Sequence, residues 1–67
     1  MKLFITNKNN FEHDCSGSKE AHQNAFSQLS KSVTDGFIPI EIITNDCIFK
    51  FKQFKDEVYF YEFLGTI

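Results

Sequence analysis

Four side chains in this sequence are competent zinc ligands: His13, Cys15, His22 and Cys47. Closed zinc sites usually draw donors in pairs such as CxxC or HxxxH, because closely spaced donors reach one tetrahedral centre from a single turn of chain. Here a His-x-Cys is followed by a six-residue gap, a lone His and a distant Cys. That spacing matches no closed pattern, and the four read as ordinary loop, core and sheet residues with no metal assigned. Cys15 beside His13 and Asp14 also invites a thiol-nucleophile reading. Catalytic triads are assembled from distant segments rather than from neighbours in sequence. A chain this short also has little room for a pocket of roughly 300 Å³ or more. The expectation is therefore a protein that is not an enzyme and carries no cofactor.

Two further patterns point to binding. The run "FKFKQFK", residues 49–55, interleaves Lys with Phe, as single-stranded nucleic-acid platforms do, where bases stack on aromatic rings and Lys tracks phosphates. Against that stand a formal charge of −2 and the absence of Arg, since nucleic-acid domains normally carry a basic excess and use Arg for bidentate contacts. Nucleic acid is the unfavoured partner. The acids Glu12, Asp14, Glu20, Asp56 and Glu57 could face a basic partner surface, although scattered acids normally form a solvated exterior. They are kept as a secondary partner-binding set.

The secondary structure that carries these residues is expected to form one domain spanning 1–67. A domain this small buries only about 60% of the surface its unfolded chain exposes, and nine Phe and two Tyr supply its core material. Lys, Asn, Phe and Ile are abundant while Arg and Trp are absent, a bias that AT-rich codons favour and that hints at a low-GC bacterium or its phages and plasmids. No apolar run approaches the roughly 18 residues of a membrane helix, and "MKLFITNKNN" turns polar too early for a signal peptide. The expectation is a cytoplasmic protein with no membrane contact, located in the host-cell cytoplasm if phage-encoded. Cys15 and Cys47 would there be free thiols; in a secreted protein the same pair could bridge the loop to the sheet.

"MKLFIT" reads as a first strand and "NKNN" as a turn. "FEHDCSGS" reads as a loop, or alternatively as a short extra strand near 11–13. Ser18 is placed to N-cap a helix from Lys19. His22, Ala25, Phe26, Leu29 and Val33 follow the spacing of one helical face, and Gly36 suits the left-handed end. From Phe37 the period becomes two, giving strands over "FIPIEIIT", "CIFKFKQF" and "VYFYEFL". Pro39 marks an edge or a bulge. The fold class is α+β, in the order β-α-β-β-β, with one helix packed on one face of a four-stranded mixed or antiparallel sheet; the alternative is β-β-α-β-β-β.

A two-residue turn at Asn45-Asp46 sets Ile42 opposite Phe49 and Glu41 opposite Lys50. Ile38, Ile40, Ile42, Cys47, Phe49 and Phe51 then lie under the helix. An even loop at "KDE" would put Glu62 opposite Phe49 on the core side. Burying an unpaired carboxylate costs several kcal/mol, whereas a cross-strand ion pair contributes about 0.2 to 1 kcal/mol. A three-residue loop is therefore expected, setting Glu62 opposite Lys50 and sending Tyr59, Tyr61 and Phe63 inward. The outer face keeps Ile43, Ile48, Lys50, Lys52, Phe54, Val58, Phe60, Glu62 and Leu64. Large apolar surface patches mark interaction sites, so this set is the expected partner-binding face. The function expected is a small non-catalytic protein-binding module. Its most concrete form is a phage- or mobile-element-encoded inhibitor of anti-defence type that docks on a host protein or enzyme complex. A homodimer through the same face is one alternative, and a single-stranded nucleic-acid module is another.

Overall fold

The computed structural model describes residues 1–15 and 17–67. Its elements are β1 (Lys2–Thr6), α1 (Lys8–Asp14), α2 (Ser18–Thr34), β2 (Glu41–Thr44), β3 (Cys47–Lys55) and β4 (Val58–Thr66). The strands form one mixed sheet in the order β1-β4-β3-β2, with β1 parallel to β4 and the other pairs antiparallel. Both helices pack on the same face, α1 against β4 and α2 against β2. This is the expected α+β architecture, with a second short helix added.

The main helix, α2, buries Ala21, Ala25 and Leu29, an i, i+4, i+8 stripe. His22, Phe26 and Val33 flank it half-buried, so the true centre is one position off the expected stripe. Gly17, with φ 76°, precedes the helix and Ser18 is its first residue rather than its cap. At the other end Gly36 takes φ 97°. Its N–H donates to the Val33 carbonyl at 3.0 Å while Phe37 N–H donates to the Ser32 carbonyl at 3.0 Å, the paired bonds of a Schellman termination.

Lys8–Asp14, expected as turn and loop with an alternative strand at 11–13, forms a helix instead. Seven residues form a helix too short to stand alone; packing holds α1. Phe11 is buried and its ring lies 5.4 Å from that of Phe49 and 5.5 Å from that of Phe63, centroid to centroid. Cys15, which follows α1, is joined by a disulfide to Cys47 at the start of β3, with Cα atoms 6.6 Å apart. The free-thiol expectation is thereby corrected, and the bridge left open for a secreted protein is the one observed.

The strand expected over 37–44 is shorter, Glu41–Thr44. The chain leaves the Schellman turn at Phe37, and Pro39 has no N–H to offer a ladder. Pairing begins with Phe51 N–H donating to the Ile40 carbonyl at 2.8 Å. Ile38 and Ile40 are 40% and 75% exposed, not core. The Pro39 carbonyl accepts the Tyr61 hydroxyl.

Both hairpin turns have two residues with positive φ, Asn45 (52°) and Asp46 (62°), then Asp56 (52°) and Glu57 (66°), the type I′ pattern. Ile42 faces Phe49 and Glu41 faces Lys50 as expected. The second turn is even, contrary to the three-residue loop, yet Lys50 still faces Glu62. An irregularity in β3 makes up the difference: Phe51 pairs with Tyr61 and Gln53 with Phe60, leaving Lys52 as the extra residue of a bulge. Tyr59, Tyr61 and Phe63 are consequently buried. A second irregularity lets Phe49 face Phe63 while Ile48 faces Gly65, whose φ of 134° a side chain rarely adopts.

Candidate functional site

The face of the sheet away from the helices can be built row by row from the pairings. Lys2, Val58 and Lys55 form one row; Phe4, Phe60 and Gln53 the next; Thr6, Glu62, Lys50 and Glu41 the third; Ile48 and Ile43, with Leu64 alongside, the last. Neither helix crosses these rows. Phe4, Ile43 and Leu64 are 53%, 47% and 51% exposed, while Ile48, Val58 and Phe60 are half-buried by their neighbours. The rings of Phe4 and Phe60 lie 5.6 Å apart and tilted, an ordinary aromatic pair geometry.

Glu62 organises the polar part of this face. Its Oε1 lies 3.5 Å from Lys52 Nζ, and its Oε2 accepts from Asn7 Nδ2 at 3.2 Å. The bulge that fixes the register thus supplies the cation as well. Among the described residues the other ion pair is Lys8 with Glu12, at 3.5 Å on the surface of α1.

Eight of the nine residues expected on this face are there: Ile43, Ile48, Lys50, Lys52, Val58, Phe60, Glu62 and Leu64. Phe54 is not. Beyond the bulge the parity of β3 inverts, so Phe54 pairs with Tyr59 on the helix side, ring centroids 4.4 Å apart, and stays half-exposed at the end of the sheet. Lys2, Phe4, Thr6, Gln53 and Lys55 join the face and were missed. The alternation Lys2, Phe4, Thr6 against Leu3, Ile5 was readable, but not the strand beside which β1 would lie.

The secondary acids do not share one element. Glu12 lies on α1, Glu20 in the first turn of α2, and Asp56 with Glu57 at the β3–β4 tip. Asp14 closes α1, and its side chain lies outside the described ones. Structure separates charge that composition only adds up. The outer face carries Lys2, Lys50, Lys52 and Lys55 against Glu41 and Glu62, whereas the other seven acids belong to helices and turns with three Lys.

The zinc-competent residues do not converge. Cys15 and Cys47 are bonded to each other, and among the described residues no group of three or more His, Cys, Asp and Glu is placed to hold a metal. A groove of about 330 Å³ between the helices, larger than the length of the chain led one to expect, is lined by Phe11, Lys19 and His22, among others. Among the described residues no hydrogen bond joins His22 to a nucleophile. Among the described residues Tyr61 is the one group pushed well off its ordinary range: burial, then the neighbouring Tyr59 phenol, raise it to about 12. It is a core residue and no acid or base for chemistry at the surface. No helix among the described residues is long and apolar enough to cross a membrane. Comparison with protein-family models, with curated proteins and with solved structures finds no match to this chain.

Proposed function

We propose that this chain is a non-catalytic binding module whose working surface is the outer sheet face, and that its partner is a protein. The supporting observation is that two helices cover one face of the sheet and leave Phe4, Ile43, Ile48, Val58, Phe60 and Leu64 on the other around the Lys52–Glu62 pair. Aromatic and aliphatic groups around a few polar ones are the make-up of interface cores. A small module of this kind acts on a partner by covering it. Inhibition of a host protein or enzyme complex by occlusion, with the chain encoded by a phage or mobile element, is the concrete form proposed. The Cys15–Cys47 bond supports an oxidising setting for it over the expected cytoplasm.

Light scattering and partner capture with wild type and Phe60→Glu test the reading. A monomer that captures a partner, and loses it in a folded Phe60→Glu variant, supports it. A wild-type dimer that the substitution makes monomeric supports self-association through this face instead.

The segregation of charge favours one second reading. Four Lys beside the Phe4–Phe60 pair resemble the groove chemistry that binds single strands. That reading predicts binding of oligothymidylate at low salt, weakening steeply as salt rises; no binding at low salt ends it.

A further inference from the structure

The sheet has two edges, β1 and β2, and the chain treats them differently. An edge presents backbone N–H and C=O groups that need partners. Along β2 the protein supplies one itself: the Gln28 side-chain amide on α2 donates to the Ile43 carbonyl at 3.2 Å. Just beyond, Asn24 Nδ2 donates to Asn45 Oδ1 at 2.8 Å, so α2 lies along that edge.

β1 has no such cover among the described residues. It pairs with β4 on one side only, and the Thr6 hydroxyl turns back the same way, to the Tyr61 carbonyl at 3.4 Å. Proline, bulges and charged side chains are usual means of blunting an exposed edge; Lys2–Thr6 is paired without a bulge and lacks Pro, and its one charged side chain, Lys2, stands at its first residue, leaving Leu3 to Thr6 without a charge. At its end a groove of about 500 Å³ is lined by consecutive residues from Phe4 to Asn10.

We infer that β1 accepts an extended strand of a partner polypeptide as a fifth strand of the sheet. This rests on the protein-binding reading and deepens it by naming the mode of recognition. The edge specifies a peptide backbone, because only a strand offers donors and acceptors at the spacing of β1. Alternate side chains of the added strand fall beside Phe4, extending the Phe4–Phe60 row, while the others lie toward the groove at the start of α1. A second copy of the chain is the weaker occupant. Five residues of edge bury far less than the roughly 800 Å² per partner of a stable complex, whereas a short segment gains most of its affinity from the ladder.

The test selects binders from a displayed library of random twelve-residue peptides against the oxidised 67-residue chain. An N-methyl group is then placed at each peptide position in turn. Strand addition predicts an alternation of period two, with affinity falling about tenfold where a methyl replaces a ladder donor and holding at the positions between. It also predicts slowed amide exchange in β1 with α2 unchanged. Enriched peptides without the alternation, displaced by Phe60→Glu but leaving β1 exchange unaltered, overturn the edge proposal while the protein-binding reading stands. If no peptide is enriched, the edge proposal fails; if Phe60→Glu also alters neither oligomeric state nor partner capture, both readings fail. A wild-type dimer with β1 amides protected replaces the partner strand by a second copy and overturns the proposal in this form.

Discussion

Lys50 stands directly opposite Glu62 even though the turn joining their strands has two residues. Unbulged, that even turn would invert β4 relative to Phe49 and Phe51, turning Phe60 and Glu62 toward the helices and Tyr59 and Tyr61 away. The chain instead loops out Lys52. The bulge forfeits a little ladder bonding; the regular alternative would bury a carboxylate and expose a tyrosine, at a cost of several kcal/mol.

Deleting Lys52 should therefore leave the pairing intact, because Gln53 would follow Phe51 and still face Phe60. The expected change is loss of one exposed ion pair and relief of the bulge, within about 1 kcal/mol in either direction. Cross-strand contacts between Phe51 and Tyr61, observed by NMR, should persist, and the urea midpoint should shift little. A molten or unfolded deletion variant contradicts this account.

Glu57 adopts φ 66° in a type I′ turn where glycine is preferred. Left-handed backbone costs a residue with a side chain about 1 kcal/mol or more. Glu57→Gly should raise the unfolding free energy by about 1 kcal/mol in a urea titration, despite the flexibility glycine adds to the unfolded chain.

Cys15 and Cys47 are 32 residues apart in sequence and both buried. Loop-closure entropy assigns such a bridge about 3 to 4 kcal/mol. The Cys15→Ser/Cys47→Ser variant should unfold at a correspondingly lower urea concentration, and intact-mass measurement of the native chain should show two fewer hydrogens than the fully reduced form.

The Tyr61 phenol, raised to about 12 by burial and then by Tyr59, makes stability fall at alkaline pH. The folded state holds its proton more tightly than the unfolded state, whose value is near 10. The contribution is complete below pH 10 and is lost as pH climbs toward 12, about 2 to 3 kcal/mol in all. Unfolding free energies between pH 9 and 12 should show this decline, and Tyr61→Phe should flatten it while costing about 1 kcal/mol at neutral pH through the lost bond to the Pro39 carbonyl.

Phe11 fills the triangle it forms with Phe49 and Phe63. Phe11→Ala should cost about 3 to 5 kcal/mol and unfold most of the chain at room temperature. A mild effect would mean that α1 is not integral to the core.

Features that depend on local period and on the penalty for a misplaced charge are legible in the order of residues alone. The i, i+4 stripe located α2, alternation located all four strands, Gly36 marked the helix end, and the carboxylate of Glu62 decided which parity of β4 faces inward. Features that depend on where separate elements meet emerge only once the chain is folded. No periodicity in "NKNNFEHD" announces a helix, because α1 exists through one phenylalanine reaching Phe49 and Phe63. The bulge at Lys52 satisfies the same charge argument as an odd loop, so the sequence could specify the pairing without specifying the means, and Phe54 changed face accordingly. The Cys15–Cys47 bond and the placement of Phe4 beside Phe60 are likewise contacts across 32 and 56 positions, which local pattern cannot encode.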